Sequence, residues 1–195
     1  MIDERFLIIG VFLSLVGGLN YLIDTVKGKT QPNKVTWFLW ALAPLIAFTA
    51  EVQQGVGWQS SLTFIVGFNP LMIFLASFIN KKSTWKLSKF DLVCGGLSVL
   101  GIILWLITKV GNIAIGLSIA ADALAGVPTI VKAYRAPETE SSLIYLLSGI
   151  NAVITLATID QWNFQHYAFP VYIMLLCITL YTLVKFKIGR ILKLK

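Results

Sequence analysis

Charge is scarce in this chain, and that scarcity is the first constraint on what the molecule is. Only 13% of its 195 residues are charged, while 57% are hydrophobic. A water-soluble domain carries about 25% charged and about 45–50% apolar residues, so a soluble globular domain is excluded. Cysteine is nearly absent: Cys94 and Cys177 both lie inside apolar runs. A disulfide framework is therefore not expected, and both read as small packing residues. There is a single histidine, His166, with no Cys/His cluster around it. That excludes a zinc-type centre and leaves His166 as an interfacial polar residue. No Gly-rich phosphate loop, nucleophile–base pair or metal signature occurs. The chain reads as non-enzymatic, with no catalytic residue, no metal and no cofactor. The opening Met1-Ile2-Asp3-Glu4-Arg5 is mixed in charge rather than basic and no small-residue cleavage site follows, so a cleaved signal peptide is not expected.

What the chain has in abundance is long apolar runs, at 6–26, 35–50, 60–79, 90–108, 112–134, 141–159 and 166–186. A membrane-spanning helix needs about 20 apolar residues, so seven runs fill the length. Each must be a helix, because lipid offers backbone N–H and C=O groups no partner. A barrel would alternate polar and apolar residues instead. A retinal protein would need a lysine in the middle of the last run, and Lys185 stands at its end.

The net charge of +7 is distributed in alternate gaps. Lys27, Lys29 and Lys34 share one gap, Lys81, Lys82, Lys86 and Lys89 another, and Lys185, Lys187, Arg190, Lys193 and Lys195 form the tail. The intervening gaps carry acids or little charge: Asp3, Glu4 and Arg5, then Glu51, Lys109 alone, and Asp160. This is the positive-inside pattern. It predicts the N-terminus outside, the C-terminus cytoplasmic and a mixed cytoplasmic loop over 132–140. It also accounts for the basic balance without a nucleic-acid partner.

The halves of the sequence resemble one another. At an offset of 105 residues, Val26-Lys27 meets Val131-Lys132, Pro32 meets Pro137, Thr36 meets Ser141 and Trp40 meets Tyr145. At an offset of 100, Asn69-Pro70 meets Phe169-Pro170. The two offsets together imply a short deletion in an external loop. The expected fold is an all-α membrane protein with seven transmembrane helices. Two parallel three-helix repeats occupy 1–80 and 111–195, joined by a linker helix over 81–110. The odd linker restores the membrane orientation of the second repeat.

Gly126-Val127-Pro128-Thr129-Ile130-Val131-Lys132, with Arg135 and Ser141-Ser142, closely resembles the proline motif of the PQ-loop superfamily, within which the chain is similar to the SWEET sugar transporters. Thr129 stands where glutamine is usual, and the first repeat has Ile23-Asp24 in place of the proline. The resemblance implies a three-one-three helix arrangement, a substrate-facing asparagine at Asn69 and hinges at Pro128, Pro70 and Pro170. Phe169 occupies the position of the second asparagine. Trp37-Phe38-Leu39-Trp40 echoes the tryptophan-lined pockets of the nicotinamide riboside transporters of the PnuC type.

Asp122 stands deep in an apolar run, where a carboxylate is costly and turns towards a cavity or a partner. It reads as a solute acceptor or proton carrier, against a structural hydrogen bond. Asn69, Asn151 and Asn20 are buried amides that suit solute hydroxyls or bind helices together. Trp40 lies a turn inside its run and is a pocket candidate; the other tryptophans read as interfacial anchors. The expected activity is transport of a small polar solute, sugar first, by alternating access and facilitated diffusion. An amino-acid, vitamin or nucleoside transporter, proton-coupled through Asp122, is the alternative. A non-transporting receptor of the same architecture is the second. The expected partners are the solute and the bilayer of a prokaryotic plasma membrane, with homo-oligomerisation left open.

Overall fold

Each apolar run folds as one α-helix, and the breaks fall where the sequence supplies caps. The computed structural model describes residues 2–53, 60–108 and 111–193. In chain order these form α1 (Phe6–Val26), α2 (Lys34–Gln53), α3 (Ser60–Ala76), α4 (Lys89–Thr108) and α5 (Gly111–Arg135). A 3-10 turn, Pro137–Thr139, leads to α6 (Ser142–Thr158), α7 (Phe164–Lys185) and the short α8 (Ile188–Lys193). The described residues contain no strand. Trp58, Lys109 and Lys195 lie outside the described residues.

The caps are chemical. After α1, Gly28 takes φ +76°, a conformation that glycine adopts without a Cβ penalty. Lys29 N–H then donates to Asp24 O and Gly28 N–H to Thr25 O, a Schellman closure. Asn33 opens α2 by accepting from Val35 N–H and Thr36 N–H. Its amide also donates to Asp91 Oδ1 at 3.0 Å. Ser88 and Asp91 open α4 reciprocally: Ser88 N–H donates to Asp91 Oδ2, and Asp91 N–H to Ser88 Oγ. This is a capping box. Asn163 opens α7 by accepting from His166 N–H, and the His166 ring lies 2.6 Å from the same oxygen.

The stretches Phe6–Val26, Lys89–Ile107, Ile115–Arg135 and His166–Lys185 are long and apolar enough to cross a membrane. Lys34–Ile46, Ser61–Ala76 and Ser142–Thr158 are shorter apolar helices. The outer surface is studded with large apolar side chains, among them Ile8, Phe12 and Leu19 of α1 and Leu92, Val93, Leu100, Ile103 and Ile107 of α4. Such an apolar exterior belongs in lipid rather than water.

The packing follows one scheme twice. In α1–α3, α3 packs on both α1 and α2, which barely meet. In α5–α7, α7 packs on both α5 and α6, which likewise barely meet. The two sets join through α1 against α6 and α2 against α5. Exchanging the sets maps each of these contacts onto the other, the signature of a pseudo-two-fold axis. Helix α4 lies on α5 and α2, at the edge.

The expected 132–140 loop begins later than the sequence suggests. Helix α5 continues to Arg135, so Lys132 is a helical residue pointing inward, and it is buried. Arg190 of α8 pairs with Glu138 beside this turn at 2.8 Å.

Candidate functional site

One face of α1 is built from small residues four apart: Gly10, Ser14 and Gly18. This small-xxx-small spacing lets neighbouring helices approach closely. Two buried asparagines from different helices use that face. A Cβ on Gly10 would collide with the Asn151 amide of α6, and one on Gly18 with the Asn69 amide of α3. Asn151 donates to Ser14 Oγ at 3.0 Å, and Asn69 donates to Ser14 O at 2.8 Å. Gly17 seats α6 as well: its Cβ would stand 3.0 Å from Ile144 Cα.

Beside this junction lies a cavity of about 70 Å³. It is lined from all six helices of the two sets and by no residue of α4. Ser14, Trp37, Trp40 and Asn69 come from one set, and Asp122, Tyr145, Ser148 and Cys177 from the other. Six aliphatic residues complete it, with Pro70. The polar groups are mostly engaged. Trp40 Nε1–H donates to Asp122 O at 3.2 Å, and the Tyr172 hydroxyl donates to Asp122 Oδ2 at 2.6 Å. Trp37 Nε1–H is buried without a partner. The two indoles meet edge to face, with centroids 5.5 Å apart.

Lining positions pair across the two sets at a constant offset of 108 residues. Ser14 pairs with Asp122, Trp37 with Tyr145, Trp40 with Ser148, Ile65 with Ile173 and Asn69 with Cys177. The same offset superposes the first residues of α2 and α6, Lys34 and Ser142, and the charges at the helix ends, Lys27 and Arg135. It differs from the offsets of 105 and 100 and involves no deletion between these positions. At the offset of 105, Lys27 is exposed where Lys132 is buried, while Pro32 and Pro137 are both buried. Phe169 packs beside Ala152, Ile173 and Cys177 without lining the cavity.

Towards the Lys-rich loops the cavity is closed by a buried charge cluster. Lys132 Nζ lies 2.6 Å from Glu140 Oε1, and both side chains are fully buried. Glu140 Oε2 accepts from Tyr21 at 2.8 Å and from Tyr145 at 2.7 Å. Lys132 also donates to Gln31 O, in the α1–α2 loop, and sits 5.2 Å from the Trp85 ring centroid, in the α3–α4 loop. Gln31 N–H donates to Thr139 O at 2.9 Å. Three loops thus converge on one ammonium group. The Tyr21 ring meets the Trp37 ring at a tilt, centroids 4.7 Å apart, which links this seal to the cavity wall.

Of the residues expected at the site, Asn69, Asp122 and Trp40 line the cavity. Asn151 does not. It reaches Ser14 from behind and serves as interhelical contact. Asn20 does not either: its Oδ1 accepts from Ser141 Oγ at 3.2 Å, near the seal. Pro128, Pro70 and Pro170 sit inside α5, α3 and α7, and of these only Pro70 lines the cavity. The residues missed are Trp37, Ser14, Tyr172 and the group Lys132–Glu140–Tyr21–Tyr145. Trp37 had been expected at the interface, yet it is 1% exposed. Its signal was the spacing of three from Trp40, which places both indoles on one helix face. Glu140 was visible only as one of two acids, with Glu138, set against Lys132 and Arg135 in the same segment. Among the described residues no group of three or more His, Cys, Asp or Glu side chains is placed to hold a metal ion. No protein-family model, curated protein or solved structure matches the chain.

Proposed function

We propose that this protein is a seven-span membrane transporter of a small solute that binds between two duplicated three-helix sets and crosses by alternating access. The first set is α1–α3, the second α5–α7, and α4 is the linker that restores orientation. The Lys-rich end is cytoplasmic and the N-terminus outside, as the positive-inside distribution directs. The short helices α3 and α6 have 17 residues each, about 25 Å of rise. They cross by drawing the bilayer thin around the cavity.

The observation that carries this reading is the cavity itself, lined in pseudo-symmetric pairs by both sets and sealed at one end only by side chains of loops and helix ends. A site between repeats is where alternating access requires it. The Lys132–Glu140 seal is the part that must open towards the cytoplasm, while Pro128 and Pro70 supply helix positions with a missing backbone bond. A SWEET-like or PQ-loop-type carrier fits this arrangement. A sugar fits the lining less well, because Trp40, Asn69 and Tyr145 already have partners inside the protein. A peptide receptor would need several charged groups in the cavity, and among the described residues Asp122 is the only charged one lining it.

Purified protein in liposomes, tested against sugars, amino acids, nucleosides and small amines, is expected to take up at least one class. The rate should saturate with solute and fall when Trp40→Ala widens the site. Correctly folded protein that takes up none of them would sink the transport reading. A reporter fused after Lys195 should read cytoplasmic; an external signal would reverse the orientation.

A further inference from the structure

The cavity is unbalanced in charge and in hydrogen bonding. Among the described residues its one carboxylate is Asp122, 4% exposed, and no described Lys, Arg or His lines the space around it. Among the described residues no cation lies within ion-pair distance of Asp122. The contrast with Glu140 is direct: that buried carboxylate holds Lys132 at 2.6 Å, whereas Asp122 has a single side-chain donor, Tyr172, on Oδ2. The other oxygen, Oδ1, carries no hydrogen bond from the described residues. Two donors of the lining are engaged within the protein, Trp40 on Asp122 O and Asn69 on Ser14 O. Around the carboxylate stand the aromatic rings of Trp37, Trp40 and Tyr145, and beyond them aliphatic side chains.

A lone carboxylate in a dry, aromatic wall is matched by a ligand that brings positive charge and N–H donors and little else. An ammonium group supplies three donors and no acceptor. It neutralises a charge that is costly inside a membrane, and aromatic rings attract it electrostatically. We infer that the cavity binds a small protonated amine with a short apolar body, its ammonium on Asp122 and its carbon chain against the aromatic and aliphatic wall. This rests on reading the cavity as the solute site and names the solute's chemical class. A sugar lacks the charge, and two of the donors its hydroxyls would meet, Trp40 Nε1–H and the Asn69 amide, are already engaged.

The test is binding, measured without transport. Protein in lipid nanodiscs is titrated calorimetrically with n-butylammonium and with its neutral counterpart of similar shape, n-butanol. The ammonium should bind at least tenfold more tightly, and Asp122→Asn, which keeps size and leaves an amide oxygen facing Tyr172, should reduce that preference below twofold. Equal affinity of the two probes for the wild-type protein overturns the inference, as does a preference that survives Asp122→Asn. Should that variant fold poorly, the wild type still decides through carbodiimide modification followed by peptide mapping. Butylammonium should protect Asp122 and leave the modification of Glu140 unchanged; no protection at Asp122 overturns the inference. Amine binding without uptake in liposomes would remove the transport reading and leave this one standing. Uptake of sugars without amine binding would do the reverse.

Discussion

Lys132 and Glu140 form an ion pair with no exposed atom in either side chain. A buried pair gains little over apolar residues of equal size, because desolvation offsets the attraction; breaking it is another matter, since one charge is left uncompensated. Lys132→Met alone should destabilise the protein by about 3–5 kcal/mol, and Glu140→Leu alone by a similar amount. The double variant should recover more than half of the sum, although the Tyr21 and Tyr145 hydroxyls then lose their acceptor. Reversible unfolding in mixed micelles measures all three. Single losses below about 1 kcal/mol would mean that water reaches the pair. At this scale the sequence was half legible. Asp122 and Trp40 announced themselves by depth in an apolar run. Lys132 and Glu140 were visible only as charges at the end of the fifth run and in the loop after it, because their burial depends on Gln31 and Trp85 of two other loops folding over them.

At the scale of elements, the helices were easy to read and their faces were not. All seven apolar runs are helices within a few residues of their expected bounds, since an apolar run in lipid has no other way to pair its backbone. Which face of α1 meets which neighbour is decided by three small residues, and a hydropathy scan is blind to them. Gly10 and Gly18 lie under the amides of Asn151 and Asn69. Gly10→Val and Gly18→Val should therefore each cost about 1–3 kcal/mol through overpacking, and disturb the cavity beside them. Gly96 and Gly116 have open space where a Cβ would stand. At those positions alanine should be neutral or stabilise the helix by up to about 1 kcal/mol. Equal effects at the two pairs of positions would show that α1 does not dock through this face. The caps repeat the lesson on a smaller scale. Ser88-x-x-Asp91 was readable as a capping box, but the bond from Asn33 to Asp91, which ties the start of α2 to the start of α4, joins residues 58 apart in sequence.

At the scale of the whole molecule, the packing scheme shared by α1–α3 and α5–α7 is plain in space, and the register in which their cavity residues pair was not legible in the sequence. Val-Lys and Pro matches drew the alignment to 105, three residues short of the offset at which the cavity residues pair. Three residues is just under one helical turn, so both registers place apolar residues on apolar residues. Only the positions that face the cavity separate the two. The α1–α2 and α5–α6 loops are counterparts, and they meet each other at the closed end, where Gln31 N–H donates to Thr139 O at 2.9 Å. If the solute leaves through that end, the two loops must part in every cycle. A disulfide joining them should hold the end shut, provided the bond forms at ordinary Cα separations of about 4.4–6.8 Å. Gln31→Cys with Thr139→Cys, oxidised in liposomes, should lower uptake at least tenfold, and reduction should restore it. The native Cys94 and Cys177 are buried and unpaired, so each single variant serves as the control for unwanted cross-links. A cross-linked protein that transports as fast as the reduced one would place the exit elsewhere and remove the Lys132–Glu140 cluster from the transport path.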